Sequence, residues 1–456
     1  MNETDKPRRP LRCGSLCRLL TRFPPLQAAL ESLPARRRPA LFFETLANLG
    51  TGGIVRLFPI AIVVLETILH ADLKYQMVIA SVFYGSNLTS PLFTWLSGRI
   101  RVRWLVIVPS FLMSLALFAT VLRPSSTLLF TILLSLVLGL RVSSRIGEMN
   151  MFRLLYPDFH MSQAVGWTRS VAAFSGLLLT LLSWWWLEVW PEHYWGLFCV
   201  AGAGMCFGAW AYAKIPTHRK NFYAQTERSA PHAAFFKGFR RFVSDRRFLR
   251  YELAFVIVGV ANQMGIYLVP KVLNETVGAS LTSISLIAVV IPSVTIILTA
   301  PVWGRYLAAR TPMLARGLFS VMQTFTFCVY LYGGLTKQIW PFYIGSFVHA
   351  CSIAGGSINW LTGSFYFATP DTSALYSGIH VFLTGIRGIA APIIAWLLFI
   401  SGDTGLGFQG LGLGSWIYLL CVMLSILGAG IFFYAQYLES RSLLNQSNSN
   451  AERDSI

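Results

Sequence analysis

The stretch Pro301-Val-Trp-Gly304-Arg305 decides how this chain of 456 residues is organised, because it echoes an earlier one. Pro91 precedes Gly98–Arg99 in the same manner, 210 residues upstream of Pro301, near the end of an apolar run. Three further pairs share nearly that spacing. Pro157–Asp158 answers to Pro370–Asp371, Gly166 to Gly378, and an apolar segment starting near 42 to one starting near 251. Offsets that agree within a few residues, at equivalent places in two halves, mark an internal duplication.

Composition fixes what is duplicated. The chain is 55% apolar and 12% charged, against about 45–50% and about 25% in ordinary soluble domains. That balance excludes a water-soluble enzyme, a disordered chain, collagen and a disulfide scaffold. A spanning helix needs ~20 apolar residues. Twelve segments qualify, at 42–68, 76–97, 104–122, 126–154, 163–186, 193–213, 251–270, 281–303, 313–335, 339–367, 374–400 and 415–437. The expected fold is therefore all-α and integral to the membrane, with twelve transmembrane helices in two six-helix repeats. Residues 1–40 read as a basic cytoplasmic arm with a short interfacial helix over 26–33. Residues 41–213 form the first half, 214–250 a basic central loop on the inner leaflet, and 251–437 the second half. The Asn/Ser-rich tail, 438–456, reads as disordered.

Charge orients the segments. The net charge is +18. With the N-terminus inside, 30 of the 37 Lys and Arg fall on the cytoplasmic side and four on the other. Three (Arg56, Arg169 and Arg387) lie within apolar runs, and the bias stays lopsided when Arg141, Arg145 and Arg153 of the fourth segment are taken out of the 30. By the positive-inside rule both termini are cytoplasmic. Trp184, Trp185, Trp186, Trp190 and Trp195 cluster at the opposite face, where an aromatic belt belongs. The excess of Arg over Lys and the lack of a signal peptide point to a bacterial inner membrane. The seven cysteines stand mostly alone in apolar runs and form no metal or redox pattern.

Two six-helix halves joined by a basic loop resemble the major facilitator superfamily over residues 41–437. That family carries a Gly-x-x-x-Asp-Arg-x-Gly-Arg-Arg-like motif between helices 2 and 3. The matching stretch here is Thr94-Trp-Leu-Ser-Gly98-Arg99-Ile-Arg101-Val-Arg103, which keeps Arg99 and Arg103 but has Gly98 where the family has Asp. In the second half, Gly304-Arg-Tyr-Leu-Ala308-Ala309-Arg310 keeps the glycine and lacks the Asp-Arg pair. The resemblance implies a gating-loop role for Arg99, Arg103, Gly304 and Arg310, without the acidic member of the charge relay. It also implies that segments 1, 4, 7 and 10 line a central cavity.

Ionisable residues inside spans cost ~2.5–3.5 kcal/mol each on insertion scales and are functional candidates by default. Arg56 follows the flexible run Asn48-Leu-Gly50-Thr-Gly52-Gly53; Glu66, ten residues on, is about 15 Å away along a helix, too far to pair with it. Arg141, Arg145 and Glu148 share one helical face by their spacing of four and three. They read either as a basic cavity wall or as an ion-paired anchor. Arg169 reads as a snorkelling residue. Arg387 sits between Gly385 and Gly388, which permit close approach of another helix. Asn262, Gln263 and Asn359 are neutral contact candidates. Glu148, His349 and His380 are the candidates for proton coupling, histidine titrating near neutral pH. Glu252 reads as a partner of central-loop arginines.

The sign of the buried charge carries the functional argument. Five arginines in spans face one clear deep acid, Glu148. Guanidinium is always charged and grips carboxylate or phosphate in bidentate fashion. The favoured reading is a monomeric secondary transporter that moves a small anionic or polar organic solute by alternating access, coupled to a proton or an exchanged anion. An exporter of apolar drugs or metabolites is a second reading, on the 14% aromatic content. A membrane sensor or assembly protein on the same fold is a third. No nucleotide-binding loop, zinc motif or nucleophile–base pair is present in the sequence, so no enzyme activity, cofactor, metal or nucleic-acid partner is expected.

Overall fold

The computed structural model describes residues 24–454, except 32, 36, 157, 217–238, 241, 370–371 and 404–408. The first part of the arm, most of the central loop, and the repeat positions Pro157, Pro370 and Asp371 lie outside the described residues. The short helix expected at 26–33 is present as Pro24–Glu31.

Twelve helical segments follow among the described residues. They are α1 (Arg38–Ile68), α2 (73–97), α3 (Trp104–Val121), α4 (Thr127–Leu155), α5 (Asp158–Val189) and α6 (Pro191–Lys214). After the central loop come α7 (Arg246–Val277), α8 (Leu281–Leu307), α9 (Pro312–Thr336), α10 (340–366), α11 (Ser373–Phe399) and α12 (Ile417–Asp454). Their starts are written in capping residues. Ser126 accepts from the Leu129 amide, Thr311 from Leu314, and Asp245 from Arg247 and Phe248. Pro312 follows Thr311 at the first helical turn, where its missing N–H costs nothing. Helix α7 ends at Gly278 in the left-handed conformation, φ 70°.

Ten of these helices are long and apolar enough to cross a membrane. The other two, α2 and α10, carry buried polar side chains instead, Asn87, Ser90 and Thr94 in one and Ser346, His349, Ser352 and Asn359 in the other. Helix α2 is also broken by a 3-10 turn at Ser86–Thr89, since Pro91 has no N–H to bond back to Asn87. In contrast, α8 exposes apolar side chains, with Leu298 at 67% and Val302 at 64%; such a surface suits lipid.

The packing repeats as the sequence does. In the first half α1 packs on α5 and α6, α3 on α4 and α6, and α2 on α4. In the second half α7 packs on α11 and α12, α9 on α10 and α12, and α8 on α10. Each second-half pairing is the first-half pairing displaced by six helices. The seam between the halves obeys the same symmetry, α5 against α8 and α11 against α2. Small residues permit it. A Cβ on Gly166 would stand 2.6 Å from the Ala300 carbonyl oxygen, and one on Gly304 2.7 Å from that of Ser162. Ser170 Oγ donates to the Ile297 carbonyl at 2.6 Å, and Ser90 Oγ to that of Gly378 at 2.9 Å. The Gly204/Gly208 pair of α6 lies against Gly50 and Thr51 of α1, as their spacing predicts.

Two expectations are corrected. The tail read as disordered is helical to Asp454. Its polar composition forbids burial, not helix; the helix is pinned where Glu439 takes Arg247 and Tyr366 and where Thr311 bonds Gln436. A two-stranded hairpin, Ser401–Asp403 with Gln409–Leu411, also stands between α11 and α12, in a stretch too short and too Gly-rich to show strand alternation.

Candidate functional site

The ends of the helices that carry Arg99, Arg103, Arg153 and Arg310 are called the basic end below. Two clusters of arginines lie between this end and the middle of the bundle, one in each half.

In the first half, α4 presents Arg141 and Arg145 one turn apart. The Arg141 guanidinium carbon lies 5.6 Å from the centre of the Phe83 ring of α2. That of Arg145 lies 5.3 Å from the Trp360 ring of α10, across the seam. A cation over an aromatic face is stabilised by about 0.5–2 kcal/mol. Glu148 turns the other way, into its own half. Its Oε1 accepts from the Tyr212 hydroxyl at 2.8 Å and its Oε2 from Arg169 Nη2 at 3.3 Å. Arg169 is thus an ion-pair partner (3.3 Å) rather than a snorkelling residue, because helix packing carries α5 toward Glu148 and not toward an interface. Glu44 of α1 is buried beside them and accepts from the Tyr156 hydroxyl at 2.6 Å.

In the second half, two guanidiniums share one ring. Arg387 of α11 stands 3.9 Å from the centre of Phe255, and Arg316 of α9 4.7 Å from the same centre. Arg387 also donates to the Phe255 carbonyl at 2.9 Å. Gly259 makes this possible, since a Cβ there would run into the Arg387 guanidinium. A cavity of about 170 Å³ opens beside them, lined also by Asn262, Ser320, Gln323 and Ser357. Behind it, Glu252 is fully buried and its Oε1 lies 2.7 Å from His380 Nδ1. This corrects the reading of Glu252 as a partner of loop arginines. It sits two turns inside α7, beyond the loop's reach.

The remaining candidates are placed as follows. Arg56 reaches over the seam from α1, its Nη2 donating to Ser293 Oγ of α8 at 2.7 Å. Asn359 is held at both ends of its amide, accepting from Tyr251 at 3.1 Å and donating to the Pro312 carbonyl at 2.9 Å. It borders a larger vestibule of about 550 Å³ at the basic end, together with Arg153, Ser162, Arg310 and Tyr366. Gln263 and His349 are not in the cavity lining; their Oε1 and Nδ1 atoms are buried without a partner among the described residues. Arg99 lies over Trp95 at 4.1 Å, Arg103 over Trp104 at 5.5 Å and Arg310 over Tyr306 at 5.5 Å. Gly304 lies in the α5–α8 seam.

Arg316 escaped the sequence reading, which counted it with the loop charges near Arg310. The Thr311–Pro312 cap was the available signal, since it starts α9 early enough to carry Arg316 into the bundle. Tyr84 of α2 and Tyr267 of α7 also meet across the seam, edge to face at 5.5 Å, and had no sequence signature.

The family model described as Major Facilitator Superfamily matches residues 45–392. No curated protein matches the chain. Among solved structures, a bacterial homologue of the iron transporter ferroportin, in an outward-facing state, superposes with a TM-score of 0.66 at 13% identity, covering 88% of this chain and 99% of its own. The proton:xylose symporter XylE gives 0.64 at 12%, covering 87% and 95%. The E. coli fucose:proton symporter FucP gives 0.60 at 12%, covering 90% and 98%. At these identities the likeness is one of fold.

Proposed function

The chain belongs to the Major Facilitator Superfamily, and we propose that it is a secondary active transporter moving a small anionic or polar organic solute by alternating access. All twelve helices span in this reading, both termini face the cytoplasm, and the protein acts as a monomer in a bacterial inner membrane. The observation that carries it is the pair Arg141 and Arg145. Arg145 reaches across the seam to Trp360 while Arg141 lies over Phe83 of its own half, and among the described residues neither has an ion pair. Aromatic faces and the charge of the neighbouring Glu148 compensate them, and neither occupies the guanidinium edges with a hydrogen-bonded ion pair, which leaves them to a ligand.

The same contacts weigh against apolar cargo. Phe83, Trp360 and Phe255 are the rings an apolar solute would use, and each is covered by a cation. Coupling then falls to groups that carry a proton beside these cations, the Glu252–His380 pair first and Glu148 second. Symport of a proton with an anion keeps the transported charge low, which suits a site already rich in positive charge.

Purified protein in liposomes tests this. Uptake of labelled organic anions driven by an imposed pH gradient is the expected result. The double variant Arg141→Gln/Arg145→Gln is expected to lose at least about 90% of that flux, two charge-assisted contacts being worth more than tenfold together. Undiminished flux in a double variant that melts like the parent overturns the assignment of these two residues.

A further inference from the structure

We propose that Arg316 and Arg387 form a two-pronged seat for the carboxylate of a small hydroxylated monoanion, held inside the second half in a cavity that Trp360, the ring under Arg145, also lines. The proposal rests on the transporter reading above and narrows it to a place and a ligand class.

The position of charge comes first. Their guanidinium carbons stand 4.7 and 3.9 Å from the centre of the one Phe255 ring they share. Like charges brought that near, away from bulk water, repel unless a counter-ion joins them. Glu252 is the nearby acid, but its Oε1 is committed to His380. Among the described residues neither arginine has an ion pair. Arg316 does reach the Tyr251 hydroxyl, a neutral partner. Nε and Nη2 of Arg316 and Nε of Arg387 are buried with no hydrogen-bond partner. Buried donors of this kind are costly to leave unmade. Both arginines line the cavity of about 170 Å³, and a carboxylate entering between them would supply the missing acceptor. Two positive charges against one negative leave room for one more negative charge, so a monoanion balances the site and a dianion overshoots.

The neutral wall selects the rest of the ligand. Ser320, Ser352 and Ser357 spend their hydroxyl protons on backbone carbonyls, those of Arg316, Phe319 and Ala354. Gln323 spends its amide protons on the Val258 carbonyl and Ser425. Asn262 Oδ1 is buried and unpartnered. What these side chains still offer is mostly lone pairs, so the ligand must bring donors. Ammonium donors would sit beside two guanidiniums and be repelled; hydroxyls are not. The cargo is therefore a hydroxy acid of few carbons.

Thermal shift on the detergent-purified full chain tests it, with glycerate and gluconate as probes, glycerol and sorbitol as their neutral counterparts, and malate as a dianion. Ligand that binds only the folded state stabilises it by RT ln(1 + [L]/Kd) and raises the melting temperature accordingly. Glycerate or gluconate is expected to stabilise, the polyols not, and malate less. Arg316→Gln is expected to weaken that binding at least about tenfold. Arg316→Lys should recover little, because a lysine keeps the charge and loses the fork. Gly259→Ala, which displaces Arg387, should mimic both. Size-exclusion profiles and unliganded melting confirm that each variant is folded; if Arg316→Gln is not, Gly259→Ala decides. Hydroxy-acid binding unchanged in these variants overturns the seat while leaving an anion transporter. Equal stabilisation by sorbitol or stronger stabilisation by malate overturns the ligand class, as does the absence of any shift with the hydroxy acids. If, in addition, liposomes accumulate no organic anion, the transporter reading fails with it.

Discussion

A guanidinium laid against an aromatic ring keeps its full charge and gives up none of its five donors. Residue by residue, this is how the chain holds cations in an apolar bundle: Arg141 on Phe83, Arg145 on Trp360, Arg316 and Arg387 on Phe255. Most of these arginines were legible in the sequence because a charge in an apolar run stands out. Their partners were not, because Phe83 and Trp360 are ordinary members of apolar runs until the fold brings them over. Arg316 failed for the opposite reason: it stands close to loop charges and only the helix cap separates it from them. Glu252 is the residue whose substitution reads the electrostatics of the second cluster. Glu252→Gln keeps a hydrogen-bonding group for His380 and removes the one negative charge. The prediction is a change of preference, malate overtaking glycerate in competitive binding, with a modest loss of stability. His380→Phe does the reverse, leaving a buried carboxylate with no donor, and is expected to cost roughly 3–5 kcal/mol. Chemical denaturation of the two variants side by side checks the order, and a Glu252→Gln that is the less stable of the two sinks the argument.

At the scale of elements, the repeat was readable and the neighbours were not. Proline and glycine positions place equivalent turns in the two halves. Nothing in apolar periodicity says that α5 should meet α8, since a helix facing lipid and a helix facing another helix are both apolar. Small residues supply the missing signal in retrospect. Gly166 and Gly304 meet backbone to backbone near the basic end, and Ser170 hydrogen-bonds across the same contact. A larger side chain there must push the helices apart. Overpacking of this kind typically costs about 1–3 kcal/mol. In the proposed cycle it falls on the state in which the seam is closed, so it biases that two-state equilibrium by roughly 5- to 160-fold. Gly304→Leu is accordingly expected to fold and still bind anion while transporting at a tenth of the parental rate or less. Binding by thermal shift and flux in liposomes, measured on one preparation, separate the two effects. Parental flux in this variant means that the α5–α8 contact does not open and close during the cycle.

For the whole molecule, the argument turns on where the charge lies and on the symmetry that places it. The contacts of the second half reproduce those of the first with every helix advanced by six, and the seam maps onto itself under the same operation. Buried acids follow the symmetry too: Glu44 and Glu252 stand near the starts of α1 and α7, each hydrogen-bonded to a side chain of its own half. The arginines do not. The first-half pair lies on a single helix, whereas the second-half pair comes from α9 and α11. Equivalent scaffolds with unequal charges suit a machine in which one half holds the cargo and the other rocks over it. Such a cycle has a direction only if the molecule has a fixed orientation, and the Lys/Arg asymmetry of the sequence predicts one with both termini inside. Single cysteines in a chain freed of its own seven test this in intact cells. With a membrane-impermeant maleimide, Ser125→Cys between α3 and α4 is expected to label at once. Ile100→Cys between α2 and α3 should label only after permeabilisation. The opposite pattern would invert the bundle, put the vestibule beside Arg153 and Arg310 outside, and make the cavity beside Arg387 a site loaded from the other face.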